Sequence, residues 1–323
     1  MDCDIIICCR KWTSEKKEKV QEQTFRTEEL KVALEQGLGF SLRSLERLDG
    51  ASALNFKAIR ATDGMPFVVK CLPQTREAYF RNLVHHLDEL AGTKAVGRLF
   101  ADCCPPVFCG HSVVCMTWCS GDRVFPDRLT PQQFDAFLAD YRIFSEVLQK
   151  SNGIFAPEPV KKWLATLDAA SGLWGRWTKA LVSRVAFLSD VAYHPERLRV
   201  IHGDFHHGNF LFESGRLVGF FDLEEFMQGY PADDIVRYVV CAAEHLKWFE
   251  YRRRHVLVER LAQAVRTMGY PRDEWMSAVD RLFLRKVVGK VERGLGPWSF
   301  VNLSFRAGFY RELKAAVAQA DGE

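Results

Sequence analysis

The stretch Val200-Ile201-His202-Gly203-Asp204-Phe205-His206-His207-Gly208-Asn209-Phe210-Leu211-Phe212-Glu213-Ser214-Gly215-Arg216-Leu217-Val218-Gly219-Phe220-Phe221-Asp222 interrupts a long helical pattern with a polar loop and then an apolar ribbon. Ser214-Gly215 reads as a two-residue turn that pairs Glu213 with Arg216, Leu211 with Val218 and Asn209 with Phe220. On that register Asp222 lies two residues beyond the partner of Asn209. At a rise of ~3.3 Å per residue the amide and the carboxylate converge on one cation at the open end of the ribbon. Asp204 stands in the loop just before it. Hard oxygen donors with open positions suit Mg2+ that carries a nucleotide phosphate.

Outward from this ribbon, helical spacing dominates after Gly121, over 131–149, 160–167, 174–192 and 234–256, with further helices to Ala318. Upstream, Thr27-Glu28-Glu29 followed by Leu30, Val32, Ala33 and Leu34 predicts a capped helix over 27–38. Leu54–Ile59 and Phe67–Leu72 shorten the period toward two and are joined through Thr62-Asp63-Gly64-Met65, which predicts a β-hairpin. Helical spacing returns over 75–90, and Val107-Phe108 and Val113–Met116 are short strand segments. The chain thus divides into an N-terminal extension (1–38), a small sheet region with one helix (39–119) and a mostly helical region (120–323) entered through Ser120-Gly121-Asp122. The class is α+β, and a crevice between two unlike lobes is a natural place for a ligand.

Bulk properties narrow the function. The 323 residues are 48% hydrophobic and 26% charged, which excludes a disordered or collagen-like chain. Lys plus Arg (44) against Asp plus Glu (41) leaves +3, too little for the wide basic surface of a nucleic-acid partner. The apolar run Ile5–Cys9 is far shorter than the ~20 residues that span a bilayer, so neither a membrane span nor a signal peptide is expected. The ten cysteines read as reduced thiols of a cytoplasmic protein, and those between Cys103 and Cys119 lack the paired C-x2-C spacing of a zinc site.

His202-Gly203-Asp204-x-His206-x-x-Asn209 followed by Asp222 resembles the catalytic and metal-binding segment of the aminoglycoside phosphotransferase and choline kinase type, small-molecule relatives of the protein kinases. The resemblance implies a bilobal, protein-kinase-like fold with a small antiparallel sheet lobe and a larger helical lobe. It implies that Asp204 orients an acceptor hydroxyl and takes its proton, that Asn209 and Asp222 hold Mg2+, and that the γ-phosphoryl group of ATP is transferred in line. Lys70 resembles the strand lysine that grips the α- and β-phosphates, with Glu77 as its orienting helix glutamate and Glu89 as the alternative. Gly50 and Ser52 fall in the place of the phosphate-covering turn, and Met116, Thr117 and Trp118 in the segment whose main chain bonds the adenine. Asp234 resembles an aspartate that caps a helix and braces the catalytic loop.

The acceptor implied is small: a sugar, an amino alcohol or an aminoglycoside-like compound. Gly203 replaces the arginine that receives an activation-loop phosphate in protein kinases, and only eight residues separate Asp222 from Pro231, too few to dock an extended peptide. The basic stretch Arg281–Arg293 reads either as a solvated helix face or as a wall that attracts an anionic acceptor, whereas Glu224 and Glu225 suit an amine. His202 and His206 read as hydrogen-bonded loop scaffolding and His207 as exposed. Two other readings compete. A zinc hydrolase built on His202, Asp204, His206 and His207 leaves Asn209 and Asp222 unexplained. A catalytically silent nucleotide-binding module that recruits a protein partner has no need of Lys70, Asp204, Asn209 and Asp222 together.

Overall fold

A computed structural model describes residues 27–48, 53–95, 97–99, 107–149, 156, 160–186, 193–223, 226–246, 250–294 and 297–320. The chain divides into two compact units, Met1–Ser120 and Gly121–Glu323. Among the described residues no helix is long and apolar enough to cross a membrane.

The N-terminal unit is built on a six-stranded sheet of β1 (Leu42–Leu48), β2 (Leu54–Arg60), β3 (Pro66–Pro73), β4 (Arg98–Leu99), β5 (Val107–Phe108) and β6 (His111–Thr117), with α1 (Thr27–Leu38) and α2 (Glu77–Glu89). The order is β1-β2-β3-β6-β4, with β5 on β6, and every pairing is antiparallel. The expected hairpin is β2–β3, in which Leu54 faces Cys71 and Ile59 faces Pro66. Because side chains alternate across a strand, one face collects Phe56, Ala58, Phe67, Val69, Cys71, Val113 and Cys115 into a hydrophobic cluster. Helix α1 closes that cluster with Leu30, Leu34 and Leu38, spaced by one helical turn. The helix that the sequence groups with an extension is therefore part of the sheet unit's core.

The C-terminal unit contains α3 (Pro131–Leu148), α4 (Val160–Ala169), α5 (Gly172–Val185), α6 (Pro231–Glu244), α7 (Tyr251–Met268), α8 (Arg272–Glu292) and α9 (Pro297–Ala320). Two short ribbons lie among them: β7 (Arg199–Ile201) with β10 (Met227–Gly229), and β8 (Phe210–Glu213) with β9 (Arg216–Phe220). Helix α3 begins with a reciprocal cap, Gln133 N–H to Thr130 Oγ1 (3.2 Å) and Thr130 N–H to Gln133 Oε1 (2.9 Å), and Pro131 takes the first turn. Its buried face includes Phe134, Phe137, Tyr141 and Phe144. The ring of Phe137 lies 5.1–6.4 Å from those of Phe205, Phe210, Phe212, Phe220 and Tyr238, so one aromatic side chain ties α3 to the loop at 202–209, the ribbon and α6.

Two expectations are corrected. The pattern over 234–256 is two helices, not one. The last turn of α6 tightens through His245 N–H to the Ala242 carbonyl (3.1 Å) and Leu246 N–H to the Ala243 carbonyl (3.2 Å), and α7 starts afresh at Tyr251. In the β8–β9 ribbon Glu213 does face Arg216, but Leu211 faces Gly219 rather than Val218, because a bulge lies between Leu211 and Phe212 in the register.

Candidate active site

The bulge moves the open end of the ribbon. Phe221 N–H donates to the carbonyl of Asn209 (2.8 Å), so Asp222 lies one residue beyond the partner of Asn209, not two. Asp222 itself, two residues past the end of β9, has φ +56°, a left-handed conformation that is costly for a residue with a Cβ.

The loop before the ribbon is held by its own polar groups. Asn209 Nδ2 donates to the carbonyl of Asp204 (2.8 Å) and to Asp204 Oδ2 (3.3 Å). Arg237, on α6, donates through Nη2 to Asp204 Oδ1 and through Nη1 to the carbonyl of Gly203. His206 accepts Gly208 N–H at Nδ1 (3.0 Å), which places its proton on Nε2, 3.4 Å from Asp204 Oδ2. Burial alone would raise the pKa of Asp204. Arg237 and the bond from His206 outweigh it and hold the carboxyl well below the usual carboxylate range. Burial opposes the charge on His206, but the hydrogen bond and charge of Asp204 leave it above the ordinary imidazole value.

Asp234 braces the loop from below. It accepts His202 N–H (2.8 Å), Gly203 N–H (3.1 Å) and Tyr141 Oη–H (3.0 Å), and burial pushes its pKa up to about 7. The helix cap expected of it belongs to its neighbour: Asp233 accepts Tyr230 N–H (2.9 Å) at the start of α6. Gly203 has φ +76°, so the position before Asp204 is one that glycine occupies without strain and an arginine would not. Gly208 is needed for room, since a Cβ there would stand 2.6 Å from the His206 ring.

His202 is fully buried, with Nε2 2.6 Å from the Phe221 carbonyl and Nδ1 accepting Asp204 N–H (3.4 Å). Burial keeps it below the ordinary imidazole value. It is scaffolding, and with both ring nitrogens of His202 and His206 engaged neither offers a lone pair to zinc. His207 is not exposed as the sequence suggests. Its ring lies 4.1 Å from Phe125 and 4.9 Å from His245, its Nδ1 is buried without a hydrogen-bond partner, and burial, with the nearby charges of His206, His245 and Arg123, lowers its pKa to about 3.

The Asn209–Asp222 pair fits a hard cation. Hydrogen bonding ties up the amide nitrogen of Asn209 on Asp204, so the amide oxygen is the atom that would be left to a metal, and Asp222 would supply carboxylate oxygens.

In the N-terminal unit, Lys70 is buried on β3 between Asn55 and Val114, on the sheet face opposite the hydrophobic cluster. Val68 shares its face, flanked by Lys57 and Met116, and Lys57 Nζ lies 4.4 Å from the centre of the Trp118 ring. The Thr117 amide, expected in the adenine-binding segment, donates instead to the Gly97 carbonyl (2.9 Å). Glu77 opens α2 as an exposed residue whose ion-pair partner is Arg81 (3.8 Å), rather than a partner of Lys70. Glu89, the alternative, sits 3.3 Å from His85 and 3.1 Å from His86. Gly50, Ser52, Glu224 and Glu225 lie outside the described residues. Sequence reasoning missed Arg237; its signal was the three-residue step from Asp234, which puts both on one helix face.

The sequence profile of the phosphotransferase enzyme family matches residues 44–275. No curated protein matches the sequence. Among solved structures, an amicoumacin kinase in complex with AMP-PNP, Ca2+ and Ami is similar at a TM-score of 0.59 and 14% identity, over 85% of this chain and 89% of that one. A putative aminoglycoside phosphotransferase from Ralstonia eutropha JMP134 is similar at 0.56 and 17%, over 92% and 99%. A choline/ethanolamine kinase family protein from Mesorhizobium loti is similar at 0.50 and 18%, over 86% and 87%. These likenesses give the α+β, protein-kinase-like fold, and the profile match over most of the chain gives the family: this chain belongs to the phosphotransferase enzyme family.

Proposed function

We propose that the protein transfers the γ-phosphoryl group of ATP to a hydroxyl of a small molecule, with Mg2+ held by Asn209 and Asp222. The observation that carries this reading is the joint fixing of Asp204 by Arg237, His206 and Asn209, with Asp222 adjacent to the residue bonded to Asn209. The nucleotide analogue and divalent ion in the amicoumacin kinase complex support it. The metal, when bound, neutralises charge on the triphosphate.

The residues of the chain do the positioning. With its pKa held low, Asp204 is a weak base, so it first orients the acceptor O–H and takes its proton late, as the new O–P bond forms. Arg237 and His206 keep the carboxylate in place while the proton moves. Lys70 acts on the α- and β-phosphates. We place the protein in the cytoplasm, in keeping with a chain of 323 residues that is large enough to bury a core without disulfide bridges.

The test is phosphorus NMR of product from a panel of sugars, amino alcohols and aminoglycosides, with nucleotide titrations in parallel. Asp204→Asn is expected to lower turnover by about 10²–10⁴-fold with nucleotide affinity near normal, whereas Asp222→Ala weakens metal-dependent nucleotide binding as well. Equal losses in both variants would contradict this division of roles. Nucleotide binding without turnover on any acceptor would favour a silent binding module.

A further inference from the structure

Helix α2 packs on the sheet of the N-terminal unit with Leu83, Leu87 and, at its C-cap, Leu90 buried. Its last turn is closed by Leu90 N–H donating to the His86 carbonyl (2.9 Å), which fixes the backbone under His85, His86 and Glu89. Glu89 follows His85 by four residues and His86 by three, so its carboxylate falls between the two imidazoles. Oε1 lies 3.3 Å from His85 Nε2 and Oε2 lies 3.1 Å from His86 Nδ1. Among the described residues this is the one trio of His, Cys, Asp or Glu side chains whose ligand atoms all lie within 4.8 Å of one another.

The separations suit a metal. Bonds of ~2.0–2.1 Å in tetrahedral geometry hold neighbouring donor atoms about 3.3 Å apart. Two of the three edges are therefore already set, and His85, with its side chain 48% exposed, has the freedom to close the third. Exposure at His85 also gives an ion its way in, while the His86 side chain is fully buried and anchors the trio to the core. The contacts within the trio do not compete with this role. Each imidazole offers a lone pair at the nitrogen facing Glu89 once its proton is carried by the opposite ring nitrogen, so one ion replaces two shared protons. Helix α7 supplies the contrast: His255 Nδ1 lies 3.2 Å from Glu259 Oε1 at the same four-residue step, but that pair is exposed and has no second imidazole.

We infer that His85 Nε2, His86 Nδ1 and a Glu89 oxygen form a binding site for a divalent transition-metal ion of the Zn2+ class on α2. Two imidazoles and one carboxylate suit Zn2+, Co2+ or Ni2+ and discriminate against Mg2+, which prefers an all-oxygen shell. Water completes the fourth position. The bound ion staples the last turn of α2, and the site stands whether or not the phosphotransferase reading does.

The test titrates the full chain, kept reduced, with Co2+ in excess Mg2+ and reads the visible absorption, followed by displacement with Zn2+. One equivalent of Co2+ is expected, without the near-ultraviolet band of thiolate ligation, a necessary distinction in a chain with ten cysteines. His85→Gln and Glu89→Gln each weaken binding about tenfold or more, whereas His255→Gln leaves it unchanged. Circular dichroism of each variant without metal checks folding, and the half-exposed His85→Gln decides alone if Glu89→Gln does not fold. Absence of a bound equivalent, a thiolate band, binding that survives His85→Gln, or loss in His255→Gln overturns the inference.

Discussion

The loop 202–209 and the strand–helix segment 66–89 are both expected to carry chemistry, yet they are held in opposite ways. In the loop, His202, Asp204, His206 and Asn209 bond one another or the adjacent backbone, and Asp234 and Arg237 reach in from a single helix. In the segment, Lys70 is placed by strand register, while Glu77 faces solvent and Arg81. A dense motif specifies its own geometry because its members are each other's partners. A lysine on a strand and a glutamate on the next helix meet only if two separate elements pack so as to bring them together, and residue spacing does not encode that.

The sharpest way to break this contrast is Asp234→Ala. It strands two buried backbone N–H groups and the Tyr141 hydroxyl, so unfolding in urea is expected to lose on the order of 3 kcal/mol. A loss below about 1 kcal/mol would mean that the loop is braced elsewhere. A test resolved by pH is His207→Phe. Because burial depresses His207 from 6.5 to about 3, the unfolded chain binds the proton that the folded one refuses, and folding stability falls as pH drops from 6.5 toward 3. The slope from this residue is at most about 1.4 kcal/mol per pH unit. The phenylalanine variant, which cannot titrate, should flatten urea midpoints measured across that window, and an unchanged slope would remove His207 as the source. The smallest effect is expected from Glu77→Gln: an exposed pair such as Glu77–Arg81 contributes about 0–1 kcal/mol, and the KM for ATP should stay within about twofold. A tenfold rise in KM would restore Glu77 as the partner of Lys70.

Much of the fold was legible because apolar periodicity was strong where burial was one-sided. The Phe134–Phe137–Tyr141–Phe144 face gave α3, and alternation in Phe67–Leu72 gave β3. Strand β1 was harder to read, since Leu42, Leu45 and Leu48 repeat every three residues like a helix face, yet pairing with β2 makes this segment a strand. The break between α6 and α7 was invisible for the reverse reason, as apolar residues continue through it. At the site, the sequence located Asp204, Asn209 and Asp222, whose roles are still proposals, but it misplaced the partners. Asp233 rather than Asp234 caps α6, and Arg237 holds Asp204 from a position that carries no motif. Long-range side-chain pairing of that kind depends on where α6 lies against the loop.

The bulge in the β8–β9 ribbon has a consequence for how this segment can vary. With Phe221 already opposite Asn209, the interval 209–222 has no slack. Deleting the extra residue at Val218 or inserting one in the Ser214-Gly215 turn would move Asp222 by one pleat and turn its carboxylate to the other side of the ribbon. The ribbon should therefore accept changes of side chain far more readily than changes of length, and a library of variants built across it ought to hold the residue count constant.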